Sequence, residues 1–507
     1  MSVVELKLSG MREYVGSEAC RLHALRATAE GVFRSYGYTP VDMPIVDRAS
    51  AFLDKSGEDI RRRMYVFADP SGREVCLRPD LTIPTCNLYL RNRAAFSREA
   101  RLSYSGPAFR YDPPAEGRFR QFLQAGVELI GAGRALEADA EILAIALQTV
   151  RTAGVDDAVL VLGDRVIIDT FVEGLTISER AKFKLHRLIR TKNALQALLA
   201  APEAESLVQA TSSSALGQLL SALGSERARV LVGEVLALAD VRHVGARTPE
   251  EIASRLIETA YEDEVSPISV EVLRGVIELL SIKGDPAIAL QAVRLRAKDM
   301  GIAGLGSILD NMTRRLELLD AFGQSPRRTV VDIGLSRGLA YYTGFIFEVI
   351  SERRADLNHL CGGGRYDSLL ETLGAANPTP AVGCAIGLER LVIALEDTMV
   401  APSGRHADAI VVGAGEVPDT LRISVATTLR KHGWDVEADA SGRRPKNVLQ
   451  DALKRSIPFV VFVGEDETKN ASVRVRCLAD RREDVVPIAE LGSYVRQQER
   501  RPRSHST

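Results

Sequence analysis

Residues 101–131 read RLSYSGPAFRYDPPAEGRFRQFLQAGVELIG. Two strand-like runs, RLSYSGPAFRY and RQFLQAGVELIG, flank the polar stretch DPPAEGR. The pattern predicts an antiparallel hairpin with a long, charged connection. On the second run Gln124, Gly126 and Glu128 alternate and share one face. Gly126 leaves room there, while Gln124 and Glu128 offer polar contacts. A carboxylate on an inward strand face is costly unless paired. Glu128 therefore either holds a partner or faces solvent.

Working outward, residues 21–36 carry Leu22, Leu25, Ala29, Val32 and Tyr36 at helical steps, with Gly37 as a stop. YTPVDMPIVD is extended and proline-broken, and 63–78 reads as two short strands around a Pro-Ser-Gly turn. From about 135 to 325 the chain is rich in Ala, Leu, Glu and Arg at helical spacing, apart from a strand at 157–163. Strand signal returns over 329–350. The glycine run CGGGRYD follows, then AVGCAIGLERLVIALE, a strand entering a helix. Beyond Ala401-Pro-Ser-Gly404, strands and helices alternate, which predicts a small α/β module with mostly parallel strands. The last dozen residues are charged and expected to fray.

Composition bounds the function. At ~150 residues per domain, 507 residues make two to four domains. A hydrophobic fraction of 46% with 26% charged residues excludes global disorder, a fibrous repeat and a disulfide mini-scaffold. The 65 Lys and Arg, 54 of them Arg, nearly balance 67 Asp and Glu. The net charge of -2 excludes a strongly basic coat protein but not a local basic patch. The six Cys form no CxxC pair and the seven His are scattered, so free thiols in a reducing cytoplasm are expected. No leader-like start and no apolar run of ~18 residues is present, so no membrane span is expected.

No GxxxxGK[ST] loop occurs, and GAGRAL (131–136) and GAGEVP (413–418) match only part of GxGxxG. Nucleotide chemistry must then use another design, and arginines supply it. Arg110 ends the first strand of the hairpin, Arg118 and Arg120 lie beyond its loop, and Arg390 sits in GLERL. A guanidinium grips phosphate oxygens with two hydrogen bonds. Each alone reads as a surface or ion-paired Arg; together they ask for a phosphate partner.

These segments resemble the class II aminoacyl-tRNA synthetases, specifically the histidyl-tRNA synthetase family. GPAFRYDPPAEGRFRQFLQAGVELIG resembles that family's second motif and AVGCAIGLERLV its third. FRSYGYTPVDMPIVD resembles the first, with Pro44 at the characteristic proline. SRGLAYYTGFIFEV and CGGGRYDSLLETLG resemble the two segments peculiar to the histidine enzyme, and 407–497 resembles its anticodon-binding domain. The resemblance implies an α+β catalytic domain on an antiparallel sheet, formed by 1–165 and 326–400. It further implies a mostly helical insertion at 166–325, the anticodon-binding α/β domain at 407–497 and a tail at 498–507.

The same resemblance implies site residues. Asp80 and Thr82 of LRPDLTIP would hold the histidine α-ammonium; read from the sequence alone, Asp80 is a helix N-cap. Glu128 would accept from the imidazole, and Gln124 would contact the amino acid. Tyr341, Tyr342 and Tyr366 would wall the pocket, although such aromatics also build cores. Arg110 and Arg337 would flank the α-phosphate of ATP, with Arg118, Arg120 and Arg390 also on ATP. Glycines 362 to 364 would let backbone approach the ligand, or form a turn. Mg²⁺ would bridge ATP phosphates, with no protein ligand implied. Arg443, Arg444 and Lys446 would contact tRNA(His), or form a solvated surface. The chain would be a cytoplasmic homodimer joined through the Pro44 region.

Two departures stand out. Ala340 replaces the family's usual Asp beside Arg337. Pro113 and Ala115 occupy loop positions where family members often carry the Arg and Gln that help read the extra 5′ guanosine of histidine tRNA. Altered acceptor-end rules are therefore expected. A competing reading is the idle paralogue, the regulatory subunit of ATP phosphoribosyltransferase, which SGEDIRRRMYVF, LRPDLTIP and QAGVELIG also resemble. The C-terminal module and the retained Arg110, Arg337 and Arg390 favour the synthetase. A third reading is a synthetase-like RNA-binding or signalling protein without ligase activity.

Overall fold

The computed structural model describes residues 8–53, 61–96, 99–113, 115–190, 268–326, 328–335, 341–357, 359–395 and 407–499, with six more between 227 and 235. The chain forms two compact units, one of Met1–Glu13 with Leu22–Thr398 and one of Tyr14–Arg21 with Met399–Thr507.

The helix Gly16–Ser35, which belongs to the larger unit from Leu22 onward, buries Leu22, Leu25, Ala29, Val32 and Phe33. Its start lies before the expected residue 21, and it ends ahead of Gly37, whose φ of +79° suits a residue without Cβ. The strands follow as β1 (Thr39–Pro40), β2 (Val46–Arg48), β3 (Tyr65–Ala68), β4 (Glu74–Leu77), β5 (Ala100–Phe109) and β6 (Gln121–Ile130). Next come β7 (Ala158–Asp164), β8 (Lys283–Gly284), β9 (Arg328–Asp332), β10 (Phe345–Ser351), β11 (Cys361–Arg365) and β12 (Ala381–Gly387). Nine of them form one sheet in the order β1-β5-β6-β12-β11-β10-β7-β9-β8. Only β1–β5 and β7–β9 pair parallel. A separate small sheet runs β2-β4-β3.

The hairpin read from 101–131 is β5 and β6, paired from Ala100↔Ile130 to Phe109↔Gln121. Helix Ala135–Thr152 packs against β7, β11 and β12 and buries Ile142, Leu143, Ile145, Leu147 and Val150. Each such side chain contributes roughly 1.5–3 kcal/mol on burial. Arg78, buried beside this sheet, donates to the carbonyls of Met43 (2.6 Å) and Pro107 (2.8 Å), tying the Pro44 segment to β5.

Two local expectations change. The glycine run 362–364 is not a turn but the interior of β11, buried between β10 and β12. A Cβ at Gly363 would lie 2.2 Å from the Gly383 carbonyl oxygen, so the strands approach too closely for any side chain there. Within 166–325, described helices are Arg165–Glu173, Glu179–Arg190, Val270–Leu280, Pro286–Asp299 and Gly306–Ala321. That span also carries β8, which pairs antiparallel with β9 and so adds to the sheet edge.

The smaller unit contains β13 (Ala409–Ala414), β14 (Val436–Ala438), β15 (Phe459–Gly464), β16 (Ser472–Cys477) and β17 (Glu483–Pro487), ordered β14-β13-β15-β16-β17. β13 pairs parallel with β14 and β15, but β15–β16 and β16–β17 are antiparallel. The sheet is thus mixed rather than mostly parallel. Connections this short cannot make the long crossover that parallel pairing needs. Trp434 stacks on Phe459 (centroids 4.6 Å apart) in its core. No described helix is long and apolar enough to cross a membrane.

Candidate active site

The site forms on one face of β6 and its neighbours. Glu128 is 1% exposed. Tyr104 donates to its Oε1 at 3.0 Å, and Tyr366 donates to its Oε2. The nearby Thr82 hydroxyl also favours the charged carboxylate. Burial outweighs these hydroxyl groups and pushes the Glu128 carboxyl up to about 7. Glycine makes the arrangement possible. Tyr104 lies directly across from Gly126, where a Cβ would sit 2.5 Å from its hydroxyl. Gly383 lies directly across from Glu128, and a Cβ there would sit 1.7 Å from Oε2.

Asp80 closes one end of this pocket. Its Oδ1 accepts from the Ile83 N–H at 3.2 Å, at the start of helix Thr82–Arg91. Asp80 thus serves the helix start from one residue before its N-cap, Leu81. Its Oδ2 is buried with no hydrogen-bond partner, and so is Oε1 of Gln124. Each of these buried open acceptors asks for a donor. Burial raises the Asp80 carboxyl, while the Arg110 guanidinium nearby pulls it down. Burial likewise lowers Arg110, and Asp80 raises it. Arg110 donates from Nε to the Pro79 carbonyl at 2.8 Å and lies 5.4 Å from the Phe122 ring centroid. Its remaining nitrogens keep a cation beside the carboxylates.

Tyr341, Tyr342 and Tyr366, expected as a pocket wall, cluster with ring centroids 4.9 Å, 5.7 Å and 6.5 Å apart. They belong to the hydrophobic core as well, packed with Cys86, Ile346 and Leu370. Gly364 admits the Tyr342 ring, since a Cβ would lie 3.0 Å from it. Arg337 lies outside the described residues.

The other expected phosphate arginines surround the loop. Arg120 lies 4.0 Å over the Tyr111 ring and donates to the Ser9 and Asp112 carbonyls, which makes it a brace of the loop base. Arg118 is exposed, next to the tight Ala115↔Arg118 bridge. Arg390 donates to the carbonyls of Gly117 (3.1 Å) and His359 (2.7 Å). Glu389 accepts the Leu123 N–H on both oxygens at 2.8 and 3.0 Å, and burial pushes its carboxyl up to about 7. In the smaller unit, Arg443, Arg444 and Lys446 are exposed at the start of helix Pro445–Lys454. Among the described residues, no three His, Cys, Asp or Glu are placed to hold a metal ion.

Sequence reasoning missed Tyr104, Gly383 and Glu389. Tyr104 had a signal: it sits in the same hairpin, on a strand whose alternation aims it at Gly126. Gly383 had none, because its role comes from the pairing of β12 with β6 across more than 250 residues of chain.

Comparison with known proteins accords with this geometry. The family model described as "Histidyl-tRNA synthetase" matches residues 10–248 and 254–391, and that of "Anticodon binding domain" matches 398–498. The histidine–tRNA ligase of Pyrococcus furiosus is 29% identical over 491 residues, covering 97% of this chain and 98% of the relative. That of Methanocaldococcus jannaschii is 29% identical, covering 97% of this chain and 100% of the relative. A histidyl-tRNA synthetase crystal structure from a Nostoc species shares the fold, with a TM-score of 0.67 at 21% identity, covering 97% of this chain and 99% of that one. The two family models together span most of the sequence, and the chain belongs to the histidyl-tRNA synthetase family.

Proposed function

We infer that this chain is a histidine–tRNA ligase: it activates histidine with ATP to histidyl-adenylate and transfers the histidyl group to tRNA(His). The observation that carries the reading is the buried Glu128, oriented by Tyr104 and Tyr366 beside two open acceptors, Asp80 Oδ2 and Gln124 Oε1. A neutral imidazole N–H donates to Glu128, and an α-ammonium fills the open acceptors. The three tyrosines exclude water around the ring.

The histidine carboxylate attacks the α-phosphorus of ATP, forming the acyl–phosphate bond as the bond to pyrophosphate breaks. Arg110, placed near Asp80, stabilises the charge that builds on the phosphoryl oxygens. Arg337 is proposed opposite it on the strength of the family resemblance, with Arg118 and Arg390 toward the outer phosphates. Arg120, which braces that loop, is proposed on ATP as well. Magnesium is proposed as a companion of the ATP phosphates, with no protein ligand assigned. The terminal ribose hydroxyl of the tRNA then attacks the adenylate carbonyl and AMP leaves. Arg443, Arg444 and Lys446 are proposed anticodon-side contacts, 166–325 in part an acceptor-stem insertion, and the Pro44 region a homodimer contact. A cytoplasmic location follows from the role.

Histidine-dependent exchange of pyrophosphate into ATP tests the reading. Arg337→Ala should cut that exchange by ~100-fold or more while histidine binding persists. Near-normal exchange would remove Arg337 from the mechanism.

A further inference from the structure

Four buried charges lie together in the catalytic unit: Asp139, Asp164, Arg315 and Arg365. Arg315 Nε donates to Asp139 Oδ2 at 2.7 Å and Nη1 to Asp164 Oδ2 at 3.2 Å. Arg365 Nε donates to Asp139 Oδ1 at 2.9 Å, and Nη2 donates to the Ala135 carbonyl at 2.9 Å. None of these groups touches the candidate pocket. A buried ion cluster is weak as a stabilising device, because apolar replacements are often as stable. What it does supply is fixed geometry.

The geometry it fixes is the peptide that carries Tyr366. Arg365 Nη1 donates to Asp367 Oδ1 at 2.9 Å, and the same oxygen accepts the Ala381 N–H at 3.0 Å. The Asp367 N–H donates to Thr343 Oγ1 at 2.9 Å, and the Thr343 N–H to the Arg365 carbonyl at 2.9 Å. The Tyr366 N–H donates to the Ala381 carbonyl at 2.8 Å. Both neighbours of Tyr366 are thus clamped, one by a buried ion pair. Tyr366 itself turns to the pocket and donates to Glu128.

We propose that Arg365, acting through Asp139 and Asp367, is a positioning residue for histidine recognition: it fixes the peptide on both sides of Tyr366, and Tyr366 fixes the Glu128 carboxylate. The proposal rests on the reading of Glu128 as the imidazole acceptor. The apolar wall of the pocket sets its size, and this clamp sets the direction of the carboxylate that meets the imidazole.

The experiment is pyrophosphate exchange by the full chain, measured against histidine and against ATP. The variants are Asp367→Asn, Arg365→Lys, Tyr366→Phe and the Asp367→Asn/Tyr366→Phe pair. The Asp367 side chain is 46% exposed, so Asp367→Asn strands no buried charge. Arg365→Lys keeps a cation beside Asp139. Each single variant should raise KM for histidine about ten-fold, with KM for ATP within about two-fold, and the pair should be no worse than Tyr366→Phe alone. Additive losses in the pair overturn the proposal, because Asp367 would then act by another route. Parallel rises in both KM values overturn it too, as does an unchanged histidine KM in Asp367→Asn. Absence of histidine-dependent exchange in the parent chain is a separate result: it overturns the ligase reading first, and the positioning role with it.

Discussion

Tyr104 Oη lies 3.0 Å from Glu128 Oε1, reaching it across the space that Gly126 leaves empty. With Tyr366 on Oε2, both oxygens of one buried carboxylate have a hydroxyl donor. Its plane is therefore set before any ligand arrives. Tyr104→Phe should raise KM for histidine about ten-fold and lower stability by roughly 1–2 kcal/mol. Exchange kinetics and urea unfolding check the two effects separately.

Gly383→Ala is the sharper disruption. Its Cβ would fall 1.7 Å from Glu128 Oε2, on a central strand that cannot retreat. The carboxylate must turn away from Tyr366. Histidine activation should drop ~100-fold or more, an effect of the size expected when a buried polar site loses its partner. Steady-state exchange at saturating ATP measures it.

Glu128 and Glu389 share a pH signature. Each carboxyl is pushed up to about 7, above its ordinary value of 4.5, mainly by burial. Between those values the folded chain binds more protons than the unfolded one. Stability should therefore be highest below about pH 4.5 with respect to these two groups, and fall as pH rises through 7. The size is on the order of 3 kcal/mol per group. Melting temperature against pH should flatten in Glu128→Gln and again in Glu389→Gln. Histidine affinity runs the other way: below about pH 7 Glu128 takes up a proton and its charge is lost, which weakens the bond from the imidazole, so KM for histidine should rise in acid.

The acceptor-end loop carries its own prediction. Pro113 and Ala115 offer no side-chain hydrogen bonds to a base, and Glu116 is held by Arg354 at 2.7 Å. Bases at a tRNA end are read by such bonds and by stacking. A tRNA lacking the extra 5′ guanosine should be charged within about ten-fold of one carrying it. Aminoacylation of the two transcripts decides this, and a much slower charging of the shorter one contradicts it.

Much of the site was legible because its pieces are local. The period-2 run from Gln124 to Glu128 announced a strand with one polar face, and β6 has that face on the pocket. Asp80 read as an N-cap; the N-cap is Leu81, but Asp80 Oδ1 still accepts the Ile83 N–H of that helix's first turn. The remainder depends on pairings between distant segments. CGGGRYD looks like a turn until β10 and β12 enclose it, since only those neighbours explain why no Cβ fits. The alternation in SVRVRC, Ser472–Cys477, was likewise present, but the preceding β-α rhythm suggested a parallel module and concealed an antiparallel return. Arg120 looked like a phosphate ligand, and only the Tyr111 ring beneath it shows its bracing contact.

The central claim is that this chain activates histidine, and pyrophosphate exchange into ATP with and without histidine tests it most directly. The account predicts exchange that requires histidine and is lost in Arg110→Ala. Exchange no higher than background when histidine is added would contradict it.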